Sequence, residues 1–354
     1  NPARILTMSD QIHGKSAKGL HLWALLTLAA TLLLIASGGI VTSKGVGMSV
    51  PDWPTTYGYN MFLFPFSQWV GGIFYEHSHR LIASGVGLMT MILAAWVLAA
   101  DSRRWVKILA VAVFLAVCLQ GLLGGLRVTL YKNEIGIFHA LLAQSFLCAL
   151  AVLAVATSAR FLRGEWDVFH PDPILRNLVL ATTVLIFFQL GLGATMRHEH
   201  AGLSIPDFPL AYGKWIPDTS AGALESINAA RTANSQVPTN VLFIWVQMVH
   251  RAMAVLILAG VVATFRRAAT SSRLRVTKAW SAAWLALVIA QVLLGAWTIW
   301  SDKAADIATT HMAVGALTLL LGVVFSFRLC RAAGAHRFYF PDPQFSRELA
   351  SRTA

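Results

Sequence analysis

The stretch GMSVPDWPTTYG, at residues 47–58, returns as GLSIPDFPLAYG at residues 202–213. Other segments repeat at a similar distance along the chain: QGLLGGLRV (120–128) with QVLLGAWTI (291–299), EHSHR (76–80) with QMVHR (247–251), and His139 with His311. Repeats that extend over most of a chain indicate two copies of one structural unit. The sequence therefore predicts two similar halves, residues 1–165 and residues 166–354.

The composition is that of a membrane protein. Hydrophobic residues make up 56% of the 354 residues and charged residues only 12%, whereas a soluble domain carries about 25% charged residues. Mean hydropathy is +0.63. Eight apolar runs are each long enough to cross a bilayer, at about 20 residues or more: 21–43, 69–100, 106–126, 135–158, 174–196, 240–264, 280–300 and 309–330.

These runs should be helices, because lipid offers no hydrogen-bond partner to an unpaired backbone group. We predict an all-α integral membrane protein with eight transmembrane helices. The repeat divides them into two pseudo-symmetric four-helix bundles, an N-terminal one in residues 1–165 and a C-terminal one in residues 166–354.

The net charge of +12 is unevenly distributed, since 19 of the 28 Lys and Arg residues fall on one side of the alternating spans, both tails included. Such a bias is typical of the cytoplasmic side of a membrane protein. We therefore expect a multi-pass protein in the lipid bilayer with both termini cytoplasmic. The loops after the first and fifth spans should face outward, and we expect no nucleic-acid partner.

Four histidines lie near the starts of the second, fourth, sixth and eighth spans: His79, His139, His250 and His311. These spans run in the same direction, so each half brings two imidazoles to one depth of its bundle. Two imidazoles on opposite faces are the axial ligands that a haem iron takes. Zinc is a weaker alternative because two histidines leave its coordination incomplete, and a single membrane histidine can also simply hydrogen-bond to a neighbouring helix.

Arginines accompany these histidines. Arg80 and Arg251 directly follow His79 and His250, and Arg127 ends the third span. A haem carries two propionates, and arginine binds carboxylates well. We predict that Arg80 and Arg127 bind the haem of the first half and that Arg251 binds that of the second. For Arg127 the alternative is an interfacial arginine that reaches toward the headgroups.

The two halves differ beside the first histidine of each pair. Glu76 lies three residues before His79, on the same helix face, whereas Gln247 takes that place before His250. Glutamine can form hydrogen bonds but cannot exchange a proton. The difference predicts chemistry in the first half, with Glu76 catalytic, and a passive redox or structural haem beside Gln247. The alternative is a structural Glu76, paired with Arg80 or with the first outer loop.

The remaining polar residues of the outer loops have less specific interpretations. The proline-rich loops can lie over the mouth of each bundle. Asp52 and Asp207 are expected to make turn contacts rather than to catalyse. We place His198 and His200 in the second outer loop, where a solvated setting is expected.

Taken together, these motifs resemble those of the haem A synthase family. The resemblance covers residues from about 20 to 330 and rests on the E-x-x-H-R of the second span, the paired PDWP and PDFP loops, and three further segments: FHALLAQ (138–144), VQMVHR (246–251) and THMAVGAL (310–317). Some family members carry a cysteine pair in an outer loop. Here Cys118, Cys148 and Cys330 all lie in predicted spans or at an inner edge.

The resemblance implies an eight-span enzyme of the bacterial inner (plasma) membrane. Such an enzyme oxidises a ring methyl of haem O to the formyl group of haem A, which terminal oxidases use. It implies that His79 and His139 flank the substrate haem, that His250 and His311 bind a haem b, and that Glu76 is the essential glutamate. Haem O synthase and terminal oxidase assembly proteins are then possible partners, and an oligomer is possible.

Two rival hypotheses remain open. A di-haem b-type electron-transfer protein would keep both haems as permanent cofactors, and Glu76 would be incidental or part of a proton relay. A transporter built from two parallel halves is the second rival, and it would bind no haem.

Overall fold

The computed structural model describes residues 8–165, 172–271 and 275–338. Helices dominate these residues. The ten α-helices, in chain order, are α1 (Met8–Ser43), α2 (Gly71–Ala100), α3 (Arg104–Leu130), α4 (Asn133–Ala156), α5 (Ala159–Leu162), α6 (Pro173–His198), α7 (Ala221–Ala233), α8 (Val241–Ser271), α9 (Arg275–Trp300) and α10 (Ala305–Phe338).

Eight of these helices are long and apolar enough to cross a membrane: α1 to α4, α6, and α8 to α10. The predicted all-α membrane fold with eight spans is therefore confirmed. Local signals set several boundaries. At the start of α6 the Asp172 carboxylate accepts a hydrogen bond from the Ile174 N–H, with Pro173 in the first turn. The helix α3 ends where Tyr131 adopts a left-handed φ of 53°.

Apolar side chains pack in two large clusters. One joins α1 to α4 and includes Leu20, Leu93, Val113 and Leu150. The other joins α6, α8, α9 and α10 and includes Val179, Val261, Trp284 and Phe325. Because lipid tails are as apolar as these side chains, the clusters stabilise the helix packing through van der Waals contact rather than through removal from water.

The helices of the two halves meet along α1, α4, α6 and α10. At the end of α1, Gly39 lies against Met312, and the Ser43 hydroxyl lies 3.1 Å from the Thr309 hydroxyl of α10. We call the end of the molecule where α1, α3, α6 and α9 finish the loop end. The long connections 44–70 and 199–240 both lie there.

The two repeated loops fold alike. Asp52 accepts hydrogen bonds from the N–H groups of Tyr57 and Gly58, and Asp207 accepts the equivalent bonds from the N–H groups of Tyr212 and Gly213. Both aspartates therefore make the turn contacts expected of them. The peptide bonds Trp53–Pro54 and Phe208–Pro209 are both cis.

The second loop contains an element that the sequence interpretation missed. Its additional residues form the helix α7, which follows Ser220 and ends at Ala233. The segment AGALESINAARTA is rich in helix-forming residues, and this composition was the available signal.

Candidate functional site

The four histidines lie in equivalent positions at the loop end, each packed against a glycine. We call each of these positions a seat. Each imidazole lies against a glycine of the preceding long helix. The pairs are Gly38–His79, Gly124–His139, Gly193–His250 and Gly295–His311. A Cβ atom added to the glycine would lie 2.9 Å, 3.3 Å, 3.5 Å and 3.3 Å, respectively, from the ring carbon Cε1. The absence of a side chain lets each ring approach the neighbouring helix closely. His79 and His139 lie near enough to repel each other when both are charged, as do His250 and His311, so the four rings form two pairs.

A glutamine one helical turn before the glycine supports three of the four seats. The side-chain amides of Gln120, Gln189 and Gln291 donate to the backbone carbonyls of His139, His250 and His311, at 2.9 Å, 3.0 Å and 2.8 Å. In each case the glutamine stands four residues before the glycine, which places both on one helix face. The sequence analysis missed these glutamines, although the Q-x-x-x-G spacing was visible.

The seat of His79 is built differently. Leu34 stands one turn before Gly38, where the other seats have a glutamine. Instead, the hydroxyl of Ser37 lies 2.8 Å from His79 Nδ1. A hydrogen bond to Nδ1 fixes the orientation of an imidazole and leaves Nε2 to act as the ligand atom.

The seats fit axial ligation of a haem iron. The Nδ1 atoms of His139, His250 and His311 are buried and have no hydrogen-bond partner in the described part of the chain. All four imidazoles are only partly buried, which is consistent with rings that line a cavity. Among the residues that the structure describes, no group of three or more His, Cys, Asp or Glu side chains could hold a metal ion. The two imidazoles of each half are therefore the candidate iron ligands.

Glu76 is buried and is held at both of its oxygens. Oε1 accepts a hydrogen bond from Arg80 Nη2 at 2.8 Å, and Oε2 accepts one from the Val50 N–H at 2.9 Å. Arg80 also donates to the carbonyls of Val50, Asp52 and Thr55, at 2.8 Å, 2.7 Å and 3.1 Å. The contacts of the structural alternative are therefore present: Glu76 pairs with Arg80 and anchors the first loop.

Gln247 anchors the second loop with the same geometry. Its Oε1 accepts a hydrogen bond from the Ile205 N–H at 2.8 Å, and its Nε2 donates to the Ile205 carbonyl at 3.1 Å. Arg251 donates to the carbonyls of Asp207 and Leu210, at 2.7 Å and 2.8 Å. Both terminal nitrogens of Arg251, like those of Arg80, bind backbone carbonyls of a loop.

The first loop covers the seat of His139. Gly125, the residue after the glycine that faces His139, lies directly against the indole ring of Trp53. His77 is fully buried beneath the same loop, with its ring centroid 4.6 Å from that of Trp69 and 5.0 Å from that of Phe64. The loop therefore lies over this end of the bundle, and its shielding of the site from water stays a prediction.

The structure overturns the expected setting of His198. This histidine is the last residue of α6 and is buried, rather than lying in a solvated loop. The side chains of His198 and Arg127 both lie close to Gly136, near the start of α4. A Cβ atom added to this glycine would lie 2.6 Å from His198 Nδ1 and 3.1 Å from Arg127 Nε. His200, in contrast, is exposed.

Arg197 is a buried residue that the sequence analysis also missed. Its Nη2 donates to the Gly39 carbonyl and to the Ser43 hydroxyl of α1, and its Nε is buried without a partner in the described residues. Arg127 likewise has a buried Nε without a partner there. Its position at the end of the fifth apolar run was the available signal.

The chain also matches a known protein family over most of its length. The family model for cytochrome oxidase assembly proteins, COX15-CtaA, matches residues 21–323. The chain belongs to this family. The match begins in α1 and ends in α10, so it includes all four histidine seats and both loop anchors.

Curated relatives in the family carry the name haem A synthase. The chain is 28% identical to that of Shouchella clausii over 257 residues, which cover 68% of this chain and 80% of the relative. It is 26% identical to that of Shewanella oneidensis over 334 residues, covering 87% and 96%. The relative from Bacillus licheniformis is 27% identical over 330 residues, covering 89% and 96%.

Proposed function

We propose that the chain is a haem A synthase, which oxidises a ring methyl group of haem O to the formyl group of haem A. The observation that carries this function is an asymmetry within a repeat: both halves have a pair of seated imidazoles, but only the first has a carboxylate, Glu76, on the helix face of its first histidine. The family and the names of the relatives support the same activity.

In the first half, His79 and His139 are the residues that flank the substrate haem. The seats at Gly38 and Gly124 fix the direction of both rings, and the Ser37 hydroxyl sets which nitrogen of His79 faces the ligand. Trp53 packs against Gly125, next to the glycine that contacts His139. Glu76 supplies a proton-exchanging group one helical turn from His79, where it accepts or returns the protons that oxidation of a methyl group releases.

In the second half, His250 and His311 bind a resident haem b, which supplies a one-electron redox centre when bound. Gln247 holds the second loop over this site without adding a titratable group. The glutamines Gln189 and Gln291 hold the backbone of both histidines, which favours a rigid pair of ligands.

The charge distribution supports a location and an orientation in the membrane. The loop end faces outward in a bacterial inner (plasma) membrane, and both termini are cytoplasmic, because the basic residues concentrate at the opposite end of the spans. A haem O synthase as the donor and terminal oxidase assembly proteins as acceptors fit this location, and neither requires a nucleic-acid contact.

Pigment analysis of the purified protein tests the proposal. We expect one haem b per chain together with a variable amount of haem O or haem A, separated by chromatography after acid extraction. Two haems b per chain in every preparation would instead support the electron-transfer protein. Purified protein without haem would favour the transporter and overturn the proposal.

A further inference from the structure

Four basic or ionisable side chains gather where the two halves meet at the loop end. The side chains of Arg127 and His198 both lie against Gly136. Arg197 lies near enough to Arg127 and to Lys303 for their positive charges to repel one another. We call these four residues the boundary row. Lys303 lies in the connection between α9 and α10, where burial together with the charge of Arg197 lowers the pKa of its ammonium group.

Within the described residues no acidic side chain forms an ion pair with the boundary row, although the neighbouring Asp302 partly offsets the charge of Lys303. The ion pairs within the described residues are Arg80–Glu76, Arg103–Asp101, Arg163–Glu165 and Arg267–Asp172, and none of them includes a member of the row. Glu76 interacts electrostatically with Arg127, but its two oxygens are already bonded to Arg80 and Val50. Buried cations that repel each other are unfavourable unless an anion joins them.

Each arginine of the row lies on a helix whose glycine contacts one of the histidines: Arg127 is three residues after Gly124, which contacts His139, and Arg197 is four residues after Gly193, which contacts His250. Arg127 interacts electrostatically with both His79 and His139. Arg197 interacts in the same way with His311. The buried Nε atoms of both arginines lack a partner in the described residues, so each retains an N–H that can bind a ligand.

The row is not part of the internal repeat. The positions equivalent to Arg127 and Arg197 in the opposite half are Thr298 and Thr42. Both threonine hydroxyls donate to a carbonyl of their own helix, four residues earlier. The scaffold therefore folds in each half without an arginine at the repeated position, and the two arginines need a reason other than the packing of the repeat.

We propose that Arg127 and Arg197 each bind a carboxylate of the tetrapyrrole in their own half, so that acidic groups of both ligands meet at the boundary row. A guanidinium presents planar, paired donors that match a carboxylate, and His198 and Lys303 add donors to the same site. This inference rests on the proposed function for the identity of the ligand. It adds Arg197 to the predicted contacts of Arg251, whose terminal nitrogens bind loop carbonyls but whose Nε is also buried without a partner in the described residues.

Haem loss to apomyoglobin tests this pairing on the purified full-length protein. A His139→Ala background isolates the second site and a His250→Ala background isolates the first. Each protein is loaded with iron protoporphyrin IX or with its dimethyl ester, which lacks free carboxylates. Arg176→Gln is the matched control, because Arg176 lies at the other end of α6 and bonds to Asn177.

In the His139→Ala background, Arg197→Gln should accelerate the loss of iron protoporphyrin about tenfold or more, the change expected for a lost charge-assisted hydrogen bond. The loss of the dimethyl ester should not change. Arg127→Gln should have the same selective effect in the His250→Ala background, and Arg176→Gln should have none in either.

A second variant separates ligand binding from helix packing. Ser43→Ala removes one contact of Arg197 with α1 and leaves its guanidinium in place, so it should not affect haem loss. Equal acceleration for both porphyrins, an unchanged rate in Arg197→Gln, or an effect of Ser43→Ala as large as that of Arg197→Gln would overturn the inference. An unmutated protein that binds neither porphyrin would overturn the proposed function itself, and this inference with it.

Discussion

The two repeated loops are each held to the helix that follows, but by different side chains. In the first half, two side chains hold the backbone of Val50: Glu76 accepts from its N–H, and Arg80 donates to its carbonyl. In the second half, the single amide of Gln247 makes both contacts with Ile205. The arginine that follows binds the next turns of the loop in both halves.

This difference separates what a loop needs from what a reaction needs. An uncharged amide suffices to hold the second loop, so anchoring alone does not require a carboxylate at the equivalent position. A buried ion pair is also seldom more stabilising than a neutral replacement of good fit. The retention of Glu76 beside His79 is therefore better explained by proton exchange than by stability.

The largest effect is expected from Glu76→Gln, which converts the first anchor into the second. Glutamine can accept from the Val50 N–H and donate to its carbonyl, as Gln247 does with Ile205. The fold and the bound haem should persist, while haem A formation should fall at least about 100-fold, the usual contribution of a general acid or base. The measurement is haem A produced by membranes that contain the variant, with haem content determined in parallel.

Normal haem A formation in this variant would mean that Glu76 only anchors the loop. Glu225→Gln, on the exposed helix α7, provides the control for a carboxylate lost elsewhere at the loop end. It should change neither haem A formation nor haem content.

The second-largest effects are expected from the arginines of the anchors. Arg80→Gln leaves the buried Glu76 without its ion pair, which should cost about 3–5 kcal/mol. Arg251→Gln removes two hydrogen bonds to carbonyls but strands no buried charge, so its cost should be smaller, about 1.5–3 kcal/mol. Hydrogen exchange of the amides in 47–58 and 202–213 measures both. Equal effects would contradict the distinction between the anchors.

The sequence predicted much of this comparison but not all of it. The repeat and the eight apolar runs identified the spans, and the replacement of Glu76 by Gln247 was visible as a change of one residue. The haem-ligand roles of the histidines stay predictions. The contacts of Gln189 and Arg197 were not predicted, because they depend on which backbone groups another helix presents, and the sequence of one helix does not contain that information.

Gln247→Glu places a carboxylate in the second anchor, and its effect should be smaller than those of the Glu76 and arginine variants. A glutamate can still accept from the Ile205 N–H but cannot donate to its carbonyl, and an unpaired buried carbonyl costs about 1–3 kcal/mol. Arg251 can offset much of this cost if it donates to Ile205 as Arg80 does to Val50. We expect a modest rise in exchange of the second loop and an unchanged haem spectrum. Loss of the haem would show that the amide, and not only the anchor, is required.

The smallest effect concerns acid stability of the turns. Burial would raise the pKa of Asp52, but hydrogen bonds from Gly58, Thr55 and Tyr57 hold this pKa below the ordinary value of 3.8. A carboxylate with a lowered folded-state pKa stabilises the loop above the unfolded-state value, and the stabilisation disappears as the pH falls through the folded-state pKa. Exchange in residues 47–58 should therefore rise below about pH 3.8.

Asp52→Asn should weaken this pH dependence, because an amide does not titrate in that range, while its oxygen still accepts one of the backbone bonds. The carboxylate is partly exposed, so screening by solvent keeps the effect small. The matched variant Asp207→Asn reports whether any remaining acid response belongs to the other loop. An unchanged acid response of residues 47–58 in Asp52→Asn would contradict the role of this carboxylate in the acid stability of the first loop.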